Sequence, residues 1–259
     1  VPFPLFAPTV FIGEPCPREN RVPLAGVDHG PFDALLAKFV DSNGRVAYAD
    51  WKASDADLRA LHDYLTAVGR ADIDGPAPHE SALAFWINVY NALTLAGVLR
   101  VYPTTSIRNH TGRVFGFNIW KNLRLHIGDR TFSLSEIEHG VLRLLSDPRV
   151  HFALVCASNS CPALRPRAFT GDTVQHELEA SAREFFARPD AVRIDSEKQV
   201  VSLSKLFKWY GPDFTSASAD LLTAIRKFLP DAARDQIDPA QTRVEFLPYD
   251  WKLNDQQSE

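Results

Sequence analysis

An α+β domain built round one buried helix is the fold class this sequence predicts, and three observations carry it. Residues 79–100 form a helix-length run that is apolar on most faces, so the helix should be central. Residues 55–69 place Leu58, Leu61, Tyr64, Leu65 and Val68 at helical spacing, which marks an amphipathic helix packed on one side only. Residues 123–127 and 131–134 are short apolar segments separated by Gly128-Asp129, the signature of an antiparallel hairpin. With 259 residues, 45% of them hydrophobic, the chain can bury a core without metals or disulfides as staples.

In chain order, the first 31 residues carry six prolines before residue 30 and read as an extended N-terminal arm. Residues 32–40 are a short amphipathic helix, and Asp41-Ser42-Asn43-Gly44 is a turn into a strand at 45–48. The turn resembles a calcium loop only superficially, because Arg45 and Lys52 stand where acidic ligands are required. After the central helix, which Pro103 ends, residues 114–120 read as a strand preceding the 123–134 hairpin. Ser133 or Ser135 then caps a helix with carboxylates in its first turn, and Asp147-Pro148 stops it. Residues 151–156, His-Phe-Ala-Leu-Val-Cys, have strand length. A proline-held loop follows at 157–170, then a helix at 173–187, a hairpin at 192–203, helices at 205–210 and 219–229, and a last strand at 242–247. No linker interrupts residues 32–254, which predicts a single domain with peripheral helices, and 255–259 form a tail.

A formal charge of −4 with no dense Lys/Arg stripe argues against a nucleic-acid partner. No apolar run reaches the roughly 18–20 residues needed to cross a bilayer, since Asn88, Asn91 and Thr94 break the longest one. A chain that starts at Val1 and contains no methionine is expected to have lost an N-terminal segment. The matching expectation is a periplasmic or secreted protein, with the cytoplasm as the other choice.

Chemistry concentrates in residues 135–143 and 151–165. In His-Phe-Ala-Leu-Val-Cys-Ala-Ser-Asn-Ser-Cys-Pro-Ala-Leu-Arg, a small-residue loop offers Cys156 and Cys161 as thiols on a rigid support. Both cysteines could equally be buried core residues, or pair with each other. A nucleophilic thiol needs a base, and that base needs an orienting group; His139 and His151 are the nearest histidines. On a helix, Glu138 points about 100° away from His139. It shares a face with apolar Leu142 instead, so it should point inward and find a partner such as Arg143, Arg165 or a buried polar group. His139, His151, Cys156 and Cys161 could also bind zinc, but no CxxC, HxxxH or HExxH spacing is present. Asn88 and Asn91 lie three apart on the apolar helix and must be hydrogen-bonded if buried, pinning a loop or lining a pocket.

Four motifs in order, Ala84–Leu93, Ser133–His139 with Arg143, His151–Arg165 and Tyr249–Asn254, resemble the bacterial branch of the domain of unknown function 547 family. The resemblance spans residues 32–254. It implies that the Glu138-His139 pair and the Ser160-Cys161-Pro162 run belong to one site. Histidine before cysteine in the chain is also similar to circularly permuted papain-like enzymes, an analogy of arrangement.

The expectation is therefore a cysteine-dependent hydrolase or acyltransferase acting on a peptide, amide or thioester bond, for instance in a peptide or small γ-glutamyl substrate. Cys161 would be the nucleophile, His139 the base and Glu138 its support, with Cys156 and His151 as the alternative pair. Backbone N–H groups of residues 158–161 would hold the oxyanion. Asn88, Asn91 and Ser160 would support the loop, and Arg143 or Arg165 would receive a substrate carboxylate. Two other readings are a non-catalytic ligand- or protein-binding domain with a structural Cys156–Cys161 loop, and a zinc or redox site on the same cysteines. No cofactor is implied, and no oligomeric state is fixed.

Overall fold

The computed structural model describes residues 9–111, 117–216, 218 and 220–257. It is an α+β fold in which helices pack round one buried helix, with three small sheets of two or three strands. Strands β1 (Val10–Ile12) and β2 (Val22–Pro23) come first, so residues read as an extended arm contribute strands to two of the sheets. Helices α1 (Gly30–Phe39), α2 (Tyr48–Ala53) and α3 (Asp55–Val68) follow, and then β3 (Ala71–Asp72), which pairs in parallel with β2. The strand expected at 45–48 reduces to bridges from Val46 to Val40 and Asp255, and the chain turns into α2.

Helix α4 (His79–Val101) is the central element, with 16 of its residues buried. A helix apolar on every face must be enclosed by the rest of the chain, as this one is. At Gly97 an added Cβ would lie 2.5 Å from Ile119 Cδ1, so the missing side chain lets the next helix approach closely. That helix, α5 (Ile119–Asn122), corrects the strand expected at 114–120: Asn118 caps it by accepting from Trp120 N, while residues 112–116 lie outside the described ones. The predicted hairpin is β4 (Leu123–Ile127) with β5 (Arg130–Ser133), antiparallel, and β1 adds to β4 in parallel.

Ser133 begins α6 (Leu134–Gly140) with a complete capping box. Its hydroxyl accepts from Glu136 N, while the Glu136 carboxylate accepts from Ser133 N at 2.8 Å. The strand expected at 151–156 is instead a 3-10 turn, Pro148–Phe152. Pro148 at the first position and the Asp147 side chain, which accepts from Arg149 N, favour a helical start over an extended one. Beyond it come α7 (Val174–Phe186), the β6 (Val192–Asp195) and β7 (Val200–Leu203) hairpin, α8 (Lys205–Thr215), α9 (Leu221–Ile225), α10 (Asp231–Arg234) and β8 (Arg243–Phe246), which pairs in parallel with β7.

Buried side chains fall into two clusters. The larger surrounds α4; the smaller is rich in phenylalanine, with Phe152, Phe185, Phe186, Phe207, Phe214 and Phe228 packed together. Each fully buried phenylalanine contributes about 2 kcal/mol of hydrophobic stabilisation. The Pro148–Phe152 turn joins the clusters: Val150 belongs to the first and Phe152 to the second.

Candidate functional site

On α6, successive side chains diverge by about 100°, and the apolar neighbours Leu134 and Ile137 decide which face is buried. Glu138 falls on that face and is 7% exposed; His139, the next residue, is exposed. The inward glutamate expected from the pattern is therefore present, but its partners are neither Arg143 nor Arg165. Tyr90 OH, from α4, donates to Glu138 Oε2 at 3.0 Å, and Tyr210 OH, from α8, donates to Oε1. Burial and the Glu138 charge push both phenols above their ordinary range, so they stay protonated and donate.

His139 is not in the cavity. Its Nδ1 lies 3.3 Å from the guanidinium of Arg143, and that guanidinium forks onto Asp213 with two bonds of 2.6 Å. His151 takes the place expected for His139. It is buried, its Nε2 is 2.8 Å from Asp213 Oδ2, and its ring stacks on Tyr210 at a centroid distance of 4.1 Å. Burial lowers the His151 pKa, and the hydrogen bond to Asp213 partly offsets this. The Arg143 hydrogen bonds, with that to His151, hold Asp213 below the usual carboxylate range. His151 is thus neutral near pH 7, with one nitrogen fixed by a carboxylate; Nδ1 has no hydrogen-bond partner among the described residues.

Cys156 and Cys161 are joined in a disulfide with a Cα–Cα separation of 6.2 Å, while Cys16 is unpaired and buried. Cys161 Sγ accepts from Cys156 N at 2.9 Å and from Tyr249 OH at 3.4 Å. The loop between the cysteines is pinned by the C-terminal segment. Asn159 N donates to Lys252 O, Ser160 N to Asp250 O, and Asp250 N to Ser160 Oγ at 2.8 Å. Cys161 N donates to Ser158 O, so the N–H groups of residues 159–161, expected to hold an oxyanion, are already used.

Both central asparagines pin backbone. Asn88 accepts from Phe169 N at 2.9 Å and donates to Phe169 O at 2.8 Å. Asn91 accepts from Val155 N at 3.1 Å and donates to Ala153 O at 3.0 Å, which fixes the chain between His151 and Cys156. Neither arginine proposed for a substrate carboxylate is open to one. Arg143 is committed to Asp213, and Arg165 is buried in an ion pair with Glu177 and bonds Ser181 at 3.1 Å.

These elements enclose a cavity of about 290 Å³, lined among others by Glu138, His151, Cys156 and Cys161. Its apolar walls include Leu154, from the larger hydrophobic cluster, and Leu206, from the phenylalanine-rich one, so the cavity sits where the two meet. Trp120, Trp209 and Trp251 complete the walls. Among the described residues, no group of three or more His, Cys, Asp and Glu side chains is placed to hold a metal ion.

Sequence reasoning missed Asp213, Tyr90 and Tyr210 as members of the site. Asp213 is one of 32 acidic residues and carries no motif, Tyr210 read as an ordinary helix residue, and Tyr90 lay in the Ala84–Leu93 motif without a role of its own. Tyr249 and Trp251 lay in a motif already singled out, and that was the available signal.

No curated protein and no solved structure matches the chain. Residues 76–186, a segment that carries Glu138, His151 and both loop cysteines, match the model of the family described as "Protein of unknown function, DUF547".

Proposed function

We propose that the cavity is the site of a cysteine-dependent hydrolase or acyltransferase that is latent while the Cys156–Cys161 disulfide is intact. The observation that carries this reading is His151: a buried imidazole, held through Nε2 by Asp213, in the same cavity as both cysteines. The base is then His151, not His139, and Asp213 is its orienting group. A dithiol reductant opens the disulfide and leaves two thiols. Cys161 gives its proton to His151 Nδ1, and the thiolate is stabilised by Cys156 N–H and Tyr249 OH, the two donors already aimed at its sulfur. The thiolate adds to a peptide, amide or thioester carbonyl. As the C–S bond forms and the leaving group departs, His151 returns the proton to it. Water or an acceptor nucleophile then releases the acyl group and restores the thiol.

Base before thiol along the chain is the order of circularly permuted papain-like enzymes, which supports the reading by analogy. The disulfide fits the expectation of a periplasmic or secreted protein, because cytosolic thiols are generally kept reduced. The substrate is a small molecule or a peptide end, the sizes a cavity of about 290 Å³ admits. One observation favours a second reading, a non-catalytic binding domain: with the disulfide closed, neither cysteine is available to attack.

Mild native reduction followed by limiting iodoacetamide, mapped by mass spectrometry over a range of pH, separates the two. Reduced Cys161 should alkylate with an apparent pKa below the ~8.5 of a free thiol. His151→Ala should raise that pKa, and His139→Ala should leave it as in the wild type. A reduced Cys161 that stays inert, or a pKa indifferent to His151→Ala, would sink the thiol reading and leave the binding domain.

A further inference from the structure

The chemistry of the cavity walls points to a ligand class. We infer that the cavity takes a ligand with a compact alkylammonium head, seated against Glu138 and enclosed by aromatic rings. The inference deepens the reading above by naming its substrate class and rests on the same cavity, but not on thiol reactivity.

The net charge of the lining comes from Glu138. Two nearby cationic groups are already committed: Arg143 to Asp213 through two bonds of 2.6 Å, and Arg188 to Asp190 at 2.6 Å and to the carbonyls of Cys161 and Asn159. His151 is neutral near pH 7, as argued above. Arg143 and Asp213 cancel, and so do Arg188 and Asp190, and among the described residues Glu138 has no ion-pair partner. Each Glu138 oxygen accepts one phenol O–H, and a carboxylate has room for about four donors in all. The remaining acceptor sites are open to an N–H donor entering the cavity.

Rings near this acid reinforce the preference. Trp209, Tyr249 and Trp251 form a mutually packed trio with centroids 4.6 to 5.6 Å apart, and all three line the cavity. Their faces are electron-rich and attract cations, more strongly when desolvated. Trp251 already draws one: the Arg108 guanidinium lies 5.2 Å from its ring centroid. An anion would meet both the glutamate and these faces. A neutral chain would gain burial only. An alkylammonium gains burial, cation–π attraction and a charge-assisted hydrogen bond.

The test uses the full chain with its disulfide intact, titrated with n-hexylammonium, n-hexanol and n-hexanoate and read by tryptophan fluorescence. Hexylammonium should bind at least ten-fold more tightly than either isostere. E138Q should remove that preference, and Trp209→Leu, at a partly exposed position, should weaken it several-fold without touching the buried acid. Hexanoate binding as tightly as hexylammonium, or a preference that survives both variants, would overturn the inference. If E138Q does not fold, the Trp209→Leu result decides. Amine selectivity beside an inert reduced Cys161 would overturn only the catalytic reading, and a reactive Cys161 without amine selectivity would overturn only this one.

Discussion

Helix α6 and the 3-10 turn Pro148–Phe152 each carry a histidine suited by residue type to act as a base, and they dispose of it in opposite ways. On α6 the helical repeat couples two neighbours: turning Glu138 onto the buried face sends His139 outward, where it meets Arg143. The turn is anchored at several points instead. Val150 enters one hydrophobic cluster, Phe152 enters the other, and His151 between them is clamped by Asp213 and the Tyr210 ring. An acidic neighbour in sequence leaves His139 exposed and outside the cavity. A carboxylate brought in by a different helix fixes one nitrogen of His151, which packing has buried.

The sharpest way to break this comparison is Asp213→Asn. Losing the carboxylate removes the acceptor that orients His151, and the alkylation rate of reduced Cys161 should fall by about 100-fold. A change within two-fold would mean that Asp213 only pairs with Arg143. Asn91→Ala comes next, because Asn91 holds the chain just after the turn through Ala153 O and Val155 N. Stranding these two buried groups should cost about 3 kcal/mol. Chemical denaturation measures it, and a cost below about 1 kcal/mol would show that packing alone holds the turn.

The smallest expected effect lies in acid. Burial depresses His151 and also His29, the latter to about 4, where Tyr64 OH lies 2.7 Å from its Nδ1. Below the unfolded value of about 6.5 the unfolded chain binds more protons than the folded one, so stability falls as pH drops from there toward 4. Thermal midpoints across that window should decline, and His29→Gln should flatten the slope. An unchanged slope in the variant would remove His29 as a source.

How far the sequence could be read follows the range of the interactions. The central helix, expected over 79–100, runs His79–Val101, and the Ser133 capping box, the inward Glu138 and the backbone-bonded asparagines follow from local pattern. The strand expected at 151–156 failed because a short apolar run fits either a strand or a buried turn, and Asp147-Pro148 tipped it to the turn. The N-terminal residues read as an extended arm without named strands because the strands there are only 3 and 2 residues long, too short for alternation to register.

What the sequence by itself determined was which residues are buried and which local motifs form, since helical periodicity, caps and turn residues act within a few positions. Tertiary structure alone decided the site. Asp213 reaches His151 from 62 residues away, Tyr90 and Tyr210 reach Glu138 from 48 and 72, and Tyr249 reaches Cys161 from 88. A hydrogen bond specifies distance and direction in space and leaves no period in the chain, so these partners become visible only once the two hydrophobic clusters have packed and brought their helices together.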